Sequence, residues 1–290
     1  MGGPGAARLA AQLGIPVDHP RIQNLTLPIF DFAKNRHREE NRPIALGLSA
    51  PQGCGKTTLS KLLEQIFVHE GLTCAVISFD DFYLTGEEQD VLAKENPHNP
   101  LLQVRGNAGT HDMRLGTETL TALLGGKPGV KLPRYDKSAR AGRGDRAPVN
   151  LWPALEKPPD IVILEGWMAG FAPLDESDPL LSQEDGIRYV NQRLASYDAW
   201  YSLLSGWVVI GVDDVGHVYK WRLEAERAMV ASGKPGMDDA AVSDFVDRYM
   251  PAYRTYLPGL YRSARGVGVG GLPTLFIEVG SDRLPTGGTC

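Results

Sequence analysis

The sequence predicts an α/β fold in which a mostly parallel sheet carries helices on both faces. Five short apolar runs, at residues 44–48, 73–79, 161–164, 207–212 and 274–279, have the length and continuous hydrophobicity of strands buried on both faces. Between them lie segments whose apolar residues recur at helical spacing. Strands that alternate with helices in this way build a parallel sheet, because each crossover returns the chain to the same edge.

The helical pattern is clearest in three segments, which begin after Thr57, at Met113 and at Ile187. The first two end at glycines, a common stop signal for a helix. Residues 86–112 and 125–159 are instead rich in Gly, Pro, Asn and Arg, so we expect ordered functional loops over the carboxyl edge of the sheet. The glycine-rich stretch 265–273 predicts a flexible surface loop.

The composition limits the classes of function. The chain has 290 residues and 42% hydrophobic content, which suits one large domain. Its 30 basic and 35 acidic residues give a net charge of −5 and form no long block of one sign, so nothing indicates a nucleic-acid or membrane surface. We therefore expect a small molecule as the partner, and the sequence leaves the oligomeric state open.

Cysteine usage and apolar run lengths indicate the compartment. Cys54, Cys74 and Cys290 are odd in number and lack the spacing of a disulfide framework or a zinc site, which favours a reducing compartment. Every apolar run is far shorter than the roughly 20 residues that span a bilayer. The N-terminus lacks the pattern of a secretory signal, so we expect the cytoplasm or, where a transit peptide has been removed, the chloroplast stroma.

A phosphate-binding motif follows the first predicted strand. Residues 50–57 read A-P-Q-G-C-G-K-T and depart from the pattern G-x-x-x-x-G-K-[ST] only at Ala50, which is tolerable while its φ stays negative. Backbone amides of such a loop cradle phosphates, Lys56 reaches the β and γ phosphates, and the Thr57 hydroxyl binds Mg²⁺. The motif in its strand, loop and helix setting predicts the P-loop NTPase fold and a nucleotide ligand. The nucleotide-binding residues that we predict are Pro51, Gln52, Gly53, Cys54, Gly55, Lys56, Thr57 and Thr58.

Acidic residues end two of the predicted strands. Asp80 and Asp81 close the second strand at the carboxyl edge, where ligands of open α/β sheets bind. Adjacent carboxylates cannot point the same way from an extended chain, so we expect one to face the site and the other to cap the following turn. Glu165 ends the strand IVILE, the position from which an acidic residue orients Mg²⁺ in phosphate-loop proteins. Burial of this glutamate without a partner would be costly, which favours a functional role.

Several blocks, in order along the chain, resemble the D-glycerate 3-kinases of plants, cyanobacteria and fungi. Besides the phosphate loop they are DDFYLT, RGNAGTHD, LPRYDKSARAGRGDR, ILEGWMAGF, and GKPGM followed by DFVDRYMPAYRTYLPGLY, and together they cover about residues 43–261. More distantly, the arrangement resembles uridine kinase, phosphoribulokinase and bacterial pantothenate kinase. The resemblance implies phosphorylation of D-glycerate at its 3-hydroxyl with ATP and Mg²⁺, which in plants closes the photorespiratory cycle.

The resemblance also implies roles for single residues. Asp80 matches the aspartate that acts on the acceptor hydroxyl as general base, and Glu165 matches the glutamate that supports metal and substrate. Residues 214–236 match a helical lid, in which we expect Arg222 to contact phosphate. A surface ion pair from Arg222 to Glu224 or Glu226 is the alternative that stays open. The predicted catalytic residues are thus Asp80, Lys56, Glu165 and Arg222, and the predicted metal ligands are Thr57 and Glu165.

We expect the acceptor to bind in the two long loops. Arg105 and His111, with two glycines between them, suit an anion or hydroxyl contact, and we assign His111 no acid–base role. Arg134 and Lys137 open a basic cluster that suits phosphates and a carboxylate, although a solvated basic loop is the alternative for any single member. The predicted substrate residues are Asp80, Tyr83, Arg105, His111, Arg134 and Lys137.

The predicted organisation is an N-terminal extension at residues 1–42 and a P-loop kinase domain at 43–290, with acceptor-binding loops at about 82–112 and 125–159. Two other functions stay open: a related small-molecule kinase of the uridine or pantothenate type, and a nucleotide-hydrolysing regulatory switch. The D-x-x-G sequence at 213–216 is typical of GTPases. We discount it, because it lies far from the phosphate loop in sequence and no N-K-x-D guanine motif accompanies it.

Overall fold

The computed structural model describes residues 4–233 and 236–287. Two residues of the predicted lid, 234 and 235, and Cys290 lie outside these ranges. The strands are β1 (Ile44–Ser49), β2 (Cys74–Ser78), β3 (Tyr135–Asp136), β4 (Asp145–Arg146), β5 (Ile161–Gly166), β6 (Gly206–Val212) and β7 (Thr274–Val279). The helices are α1 (Pro4–Leu13), α2 (Leu27–Glu40), α3 (Lys56–His69), α4 (Gly86–Glu95), α5 (Met113–Leu124), α6 (Ile187–Leu194), α7 (Asp198–Tyr201), α8 (His217–Ala231), α9 (Asp239–Asp247) and α10 (Met250–Arg265).

Five strands form one parallel sheet in the order β2-β5-β1-β6-β7, which confirms the predicted fold class and all five predicted strands. The strands β2, β5 and β1 are neighbours, so their carboxyl ends meet at one edge. In the register, Glu165 lies opposite both Leu48 and Ser78. The short pair β3 and β4 is antiparallel and lies within the predicted loop 125–159.

The strands are apolar throughout because alternate residues enter two different cores. On one face Val162 and Trp207 join a cluster built largely from α5, α6, α7 and α10. On the other face Ile161 and Val208 join a cluster with residues of α1, α2 and α3. Helices therefore cover both faces, as the uninterrupted hydrophobicity predicts.

The N-terminal segment has a packing role. The π-helix Arg21–Thr26 runs into α2, and Ile22 and Ile29 on these turns are 0% and 2% exposed. In α1, Leu9 is 1% exposed and belongs to the same cluster as the apolar residues of α3. The division of the chain at residue 43 stays a prediction, but the described part of the extension is built into one face of the core.

Three local predictions need correction. Residues 86–112 are not wholly irregular, because α4 occupies the first part and begins with a capping box between Thr85 and Glu88. The helix predicted from Ile187 is broken into α6, a 3₁₀ turn and α7. The stretch 265–273 is only partly a surface loop, since Val267 is 85% exposed whereas Val269 packs into the core.

Among the described residues, no helix is both long and apolar enough to cross a membrane.

The packing of Gly47 against Trp207 gives a test of the sheet. A β-carbon at Gly47 would lie 2.2 Å from the Trp207 ring, so we expect Gly47→Ala to lower the free energy of unfolding by about 1–3 kcal/mol. The matched control is Gly259→Ala in α10, where a β-carbon meets nothing within 4 Å. That substitution should be neutral or stabilise the chain by about 0.5–1 kcal/mol. Urea unfolding of both variants checks the result, and equal midpoints would contradict the packing described.

Candidate active site

The phosphate loop, residues 50–57, connects β1 to α3 and has the backbone shape that its sequence predicts. Gly53 and Gly55 have φ values of 79° and 99°, a region that favours glycine. Ala50, which stands where the motif has its first glycine, is 1% exposed and is not among the residues with positive φ. The condition under which alanine is tolerable at this position is therefore met.

The loop presents donors without partners. The amides of Gly53 and Gly55 donate to no acceptor within residues 4–233 and 236–287. They lie at the amino end of α3, where the helix dipole also favours an anion. The Lys56 ammonium crosses the loop and donates to the carbonyl oxygens of Ala50 and Pro51, at 2.9 and 3.1 Å. Free amides, a helix amino terminus and a lysine at one place fit a phosphate group.

Two side chains from distant segments hold the loop, and neither is among the residues predicted from the sequence. Trp221 of α8 packs against Gly53 so closely that a β-carbon there would lie 2.6 Å from the Trp221 β-carbon. Arg283 donates from Nε to the Gly53 carbonyl at 2.8 Å and from Nη2 to Glu224 of α8 at 2.7 Å. Arg283 has a φ of 63°, uncommon for a residue with a side chain, yet it belongs to no motif that could have marked it in the sequence.

Glu165 lies between the phosphate loop and the end of β2. Burial raises the pKa of its carboxyl group, while Lys56 lowers it, the charge of Asp80 raises it, and a hydrogen bond from Ser78 lowers it again. Thr57 is exposed at the start of α3. Within the part of the chain that the structure describes, no three His, Cys, Asp or Glu side chains form a metal-binding group.

The two adjacent aspartates have separate tasks, as the sequence predicts. Asp81 accepts from the Ser78 amide at 3.2 Å and completes a capping box on the 3₁₀ turn Phe79–Phe82. Burial raises the pKa of Asp81, although an ion pair with Arg134 at 3.2 Å opposes that shift. Asp81 is thus the carboxylate that caps the turn.

Asp80 faces the other way, toward Tyr83 and Lys137. The Tyr83 hydroxyl donates to Asp80 Oδ1 at 2.7 Å, and the Lys137 ammonium pairs with Oδ2. Burial alone would raise the pKa of Asp80, but the charge and hydrogen bond of Lys137 and the hydrogen bond of Tyr83 outweigh it and lower the pKa below the usual value. Asp80 is therefore ionised at neutral pH and is held by two donors.

His111 brings an unpartnered ring nitrogen to the same place. Its ring stacks on Tyr83 with centroids 4.7 Å apart, and Nδ1 lies 2.5 Å from the Tyr197 hydroxyl. Nε2 is buried and has no partner among the described residues. Burial lowers the pKa of His111 to about 4 against the charge of Asp80, so the ring is neutral at pH 7.

Arg105 and Arg134, the two arginines among the predicted substrate residues, have different partners. Arg105 donates to the Gly142 carbonyl at 3.0 Å and to the Arg143 carbonyl, and its guanidinium lies 5.5 Å from the centre of the Tyr135 ring. Arg134 instead pairs with the carboxylate of Asp81. Within residues 4–233 and 236–287, the Arg105 guanidinium donates only to neutral oxygens, whereas the charge of Arg134 is balanced by Asp81.

The other basic residues of the cluster pin the loop to neighbouring elements. Arg140 and Arg143 both pair with Asp90 of α4, the latter at 2.7 Å. Arg146 pairs with Asp112 at 3.0 Å. The cluster is thus mostly a set of ion pairs and not a freely solvated basic loop.

Arg222 makes the ion pair that the sequence left open. Its Nη2 lies 2.5 Å from Glu226, whose side chain is buried, and its guanidinium lies 4.5 Å from the centre of the Phe245 ring. Glu226 also accepts from the Met237 amide at 2.9 Å, which ties α8 to the segment before α9. Through these contacts Arg222 packs between α8 and α9. Its expected contact with phosphate stays a prediction.

The buried neutral His111 predicts a pH-dependent stability. The unfolded chain binds a proton near the ordinary pKa of 6.5, but the folded chain binds it only near 4, so stability falls as the pH drops through this window. At pH 5 we expect a loss of ~2 kcal/mol from this residue. Urea unfolding at pH 7 and pH 5 should show the loss reduced in His111→Gln and retained in the exposed control His98→Gln. An unaltered pH dependence in His111→Gln would contradict the assignment.

The comparison with known proteins agrees with this arrangement. The sequence profile of the phosphoribulokinase and uridine kinase family matches residues 45–174, which contain the phosphate loop, Asp80 and Glu165. The chain is 46% identical over 254 residues to the chloroplastic D-glycerate 3-kinase of Arabidopsis thaliana, an alignment that covers 83% of this chain and 56% of the relative. The chain thus spans little more than half the length of that plant protein.

Two fungal proteins match over most of their length. The uncharacterized kinase mug58 of Schizosaccharomyces pombe is 40% identical over 79% of this chain and 86% of its own. The solved structure of D-glycerate 3-kinase from Cryptococcus neoformans var. grubii superposes with a TM-score of 0.79 at 29% identity, covering 92% of this chain and 98% of that one. With the phosphate loop and the paired strand ends in place, the chain belongs to the family of P-loop kinases that mug58 represents, and its residues 45–174 match the phosphoribulokinase and uridine kinase family.

Proposed function

We propose that this chain transfers the γ-phosphoryl group of ATP to the 3-hydroxyl of D-glycerate, which yields ADP and 3-phosphoglycerate. The observation that carries the proposal is the ionised Asp80 carboxylate just after the end of β2. It lies one strand away from Glu165 on β5 and two strands away from the phosphate loop, which follows β1. Phosphoryl transfer requires a nucleotide and an acceptor hydroxyl at one edge of the sheet, and that edge holds both a phosphate loop and a carboxylate.

On the nucleotide side, the residues present fit Mg-ATP. The amides of the phosphate loop and Lys56 hold the phosphates, and the loop carbonyls that Lys56 now contacts are replaced by phosphate oxygens. When bound, Mg²⁺ neutralises charge on the β and γ phosphates. Thr57 and Glu165 are the residues that would hold it, and since Mg²⁺ keeps several ligands from phosphate and water, a site with few protein ligands suits it.

On the acceptor side, Asp80 accepts the proton of the reacting hydroxyl. Its low pKa is compatible with this role, because the loose transition state of phosphoryl transfer lets an ordinary carboxylate take the proton late. Tyr83 and Lys137 fix the carboxylate, and the unpartnered Nε2 of His111 is available to hydrogen-bond a hydroxyl group of the acceptor. Most of the rate enhancement then comes from positioning and charge neutralisation.

The charge of Arg105 suits the carboxylate of D-glycerate better than that of Arg134. Arg105 donates to backbone carbonyls and has no carboxylate partner within the described residues, whereas Arg134 is neutralised by Asp81. A guanidinium gains a bidentate, charge-assisted pair when a carboxylate arrives. We therefore propose Arg105 as the residue that reads the acid group, within the acceptor loop at about 82–112.

The remaining parts of the proposal concern organisation and compartment. Loop 125–159 completes the acceptor site through Lys137 and Arg134. The segment 214–236 is the lid, and α8 makes up most of it. The chain acts in the cytoplasm or in the chloroplast stroma, where D-glycerate phosphorylation would serve photorespiration.

An acceptor screen tests the proposed function. ADP release should be followed in a coupled assay with D-glycerate, glycerol, uridine, pantothenate and ribulose 5-phosphate, each at the same concentration. We expect turnover with D-glycerate alone. Turnover with uridine or pantothenate would assign the chain to a different kinase group, and ADP release that no acceptor stimulates would indicate a nucleotide-hydrolysing switch.

The separate tasks of the paired aspartates give a sharper test. Asp80→Asn should lower kcat with D-glycerate by about 10²–10⁴-fold, the range for a lost general base. Asp81→Asn should lower the free energy of unfolding by about 1 kcal/mol, as loss of a cap does, with a much smaller effect on kcat. Steady-state kinetics and urea unfolding of both variants check this. A larger kcat loss in Asp81→Asn would reverse the assignment.

The lack of a carboxylate partner for Arg105 among the described residues leads to a prediction about how the acceptor carboxylate is recognised. Arg105→Lys should raise KM for D-glycerate by about 10- to 100-fold with little change in KM for ATP, because lysine keeps the charge but loses the fork. Arg134→Lys is the matched control and should have a smaller effect. Glycerol, which lacks the carboxylate, should be a poor acceptor, since a site built for a charged group penalises its loss. Equal use of glycerol and D-glycerate would contradict the role of Arg105.

A further inference from the structure

The phosphate loop contains an amide that a distant side chain has to satisfy. Pro51 has no N–H group, so the first free donor after it is the amide of Gln52. This amide donates to the hydroxyl of Tyr253, at 2.9 Å. Tyr253 belongs to α10, far from the loop in sequence, so the shape of the loop at Gln52 depends on a tertiary contact and not on the motif alone.

The position of the Tyr253 hydroxyl is fixed by its surroundings. Tyr253 is 1% exposed, and its ring meets Trp167 edge-on with centroids 5.0 Å apart. Trp167 comes two residues after Glu165 and also packs edge-on against Tyr249, at 5.1 Å. This packing keeps the tyrosine hydroxyl within reach of the phosphate loop.

The same end of α10 also meets the acceptor loop. The Asn107 side chain donates to the carbonyl of Arg248 at 3.3 Å, and Tyr249 lies so close to Gly106 that a β-carbon there would be 2.7 Å from its ring. Tyr249 is buried, and its hydroxyl lies near both Asp80 and the Gln52 side chain. The segment that holds the Gln52 amide through Tyr253 therefore also packs against the acceptor loop.

We propose that Tyr253 is a positioning residue that keeps the phosphate loop in its ATP-binding shape through the Gln52 amide, so that α10 controls nucleotide affinity without contacting a phosphate. The inference rests on the proposed nucleotide site but not on the identity of the acceptor. Its physical reason is the cost of an unpaired amide. Without the tyrosine hydroxyl, Gln52 turns its N–H group toward water, and ATP must then restore the shape of the loop when it binds.

Direct binding of a non-hydrolysable ATP analogue, AMP-PNP with Mg²⁺, to Tyr253→Phe tests the proposal. Calorimetry should show an affinity about tenfold weaker than that of the wild-type chain, the scale of one unpaired buried donor. The matched control is Tyr256→Phe in the same helix, whose buried hydroxyl reaches Asn191 at 3.3 Å and the Ile187 carbonyl at 3.5 Å. It should lose similar stability but bind the analogue within about twofold of the wild type.

Steady-state kinetics separate loop positioning from general damage to the fold. In Tyr253→Phe, KM for ATP should rise with the dissociation constant, while KM for D-glycerate at saturating ATP should stay near that of the wild type. Equal analogue affinities for Tyr253→Phe and Tyr256→Phe would overturn the inference and leave the proposed function intact. Failure of the wild-type chain to bind the analogue would overturn both.

Amide hydrogen exchange in the wild-type chain tests the same contact even where Tyr253→Phe does not fold. Without nucleotide, the Gln52 amide should be protected, whereas the amides of Gly53 and Gly55, which have no partner in the described residues, should exchange fast. AMP-PNP should then protect the two glycine amides. Fast exchange at Gln52 in the nucleotide-free chain would overturn the proposal.

Discussion

Parallel pairing of β1, β5 and β2 is the constraint on which the site depends. Glu165 lies opposite Leu48 on one side and Ser78 on the other, so the three strands end level with one another. The phosphate loop, Glu165 and Asp80 leave these ends in turn and meet at one edge, although long stretches of sequence separate them. A shift of β5 by one residue would turn Glu165 to the opposite face of the sheet and into a core.

Around this edge, ion pairs hold the loops while leaving little unbalanced charge. Lys137 pairs with Asp80, Arg134 with Asp81, and Arg146 with Asp112. Each carboxylate lies on the element that the basic loop crosses, so the pairs fix that loop over the end of β2. A site arranged in this way needs little reorganisation when an anion enters, which is what electrostatic catalysis requires.

Much of the fold could be predicted because its determinants are local. The five strands are continuous apolar runs, and the phosphate loop is a contiguous motif whose glycines have the positive φ that the motif demands. Helix α4 was missed because GEEQDVLAKE starts with glycine and has few apolar residues. Its capping box between Thr85 and Glu88 was the available signal, and it is a short pattern that many loops share.

The sequence by itself determined the fold class, the family and the phosphate loop, and it predicted that one of two adjacent aspartates caps a turn. Only the tertiary structure decided that Asp81 caps the turn while Asp80 faces Tyr83 and Lys137, that Arg222 pairs with Glu226, and that Tyr253 satisfies the Gln52 amide. The reason is physical: strand and loop propensities act between neighbours in the chain, whereas the partner of a buried donor or charge is set by how distant helices pack onto the sheet. No local pattern records that packing, so residues such as Arg283 and Tyr253 become visible only once α8, α10 and the last strand surround the loop.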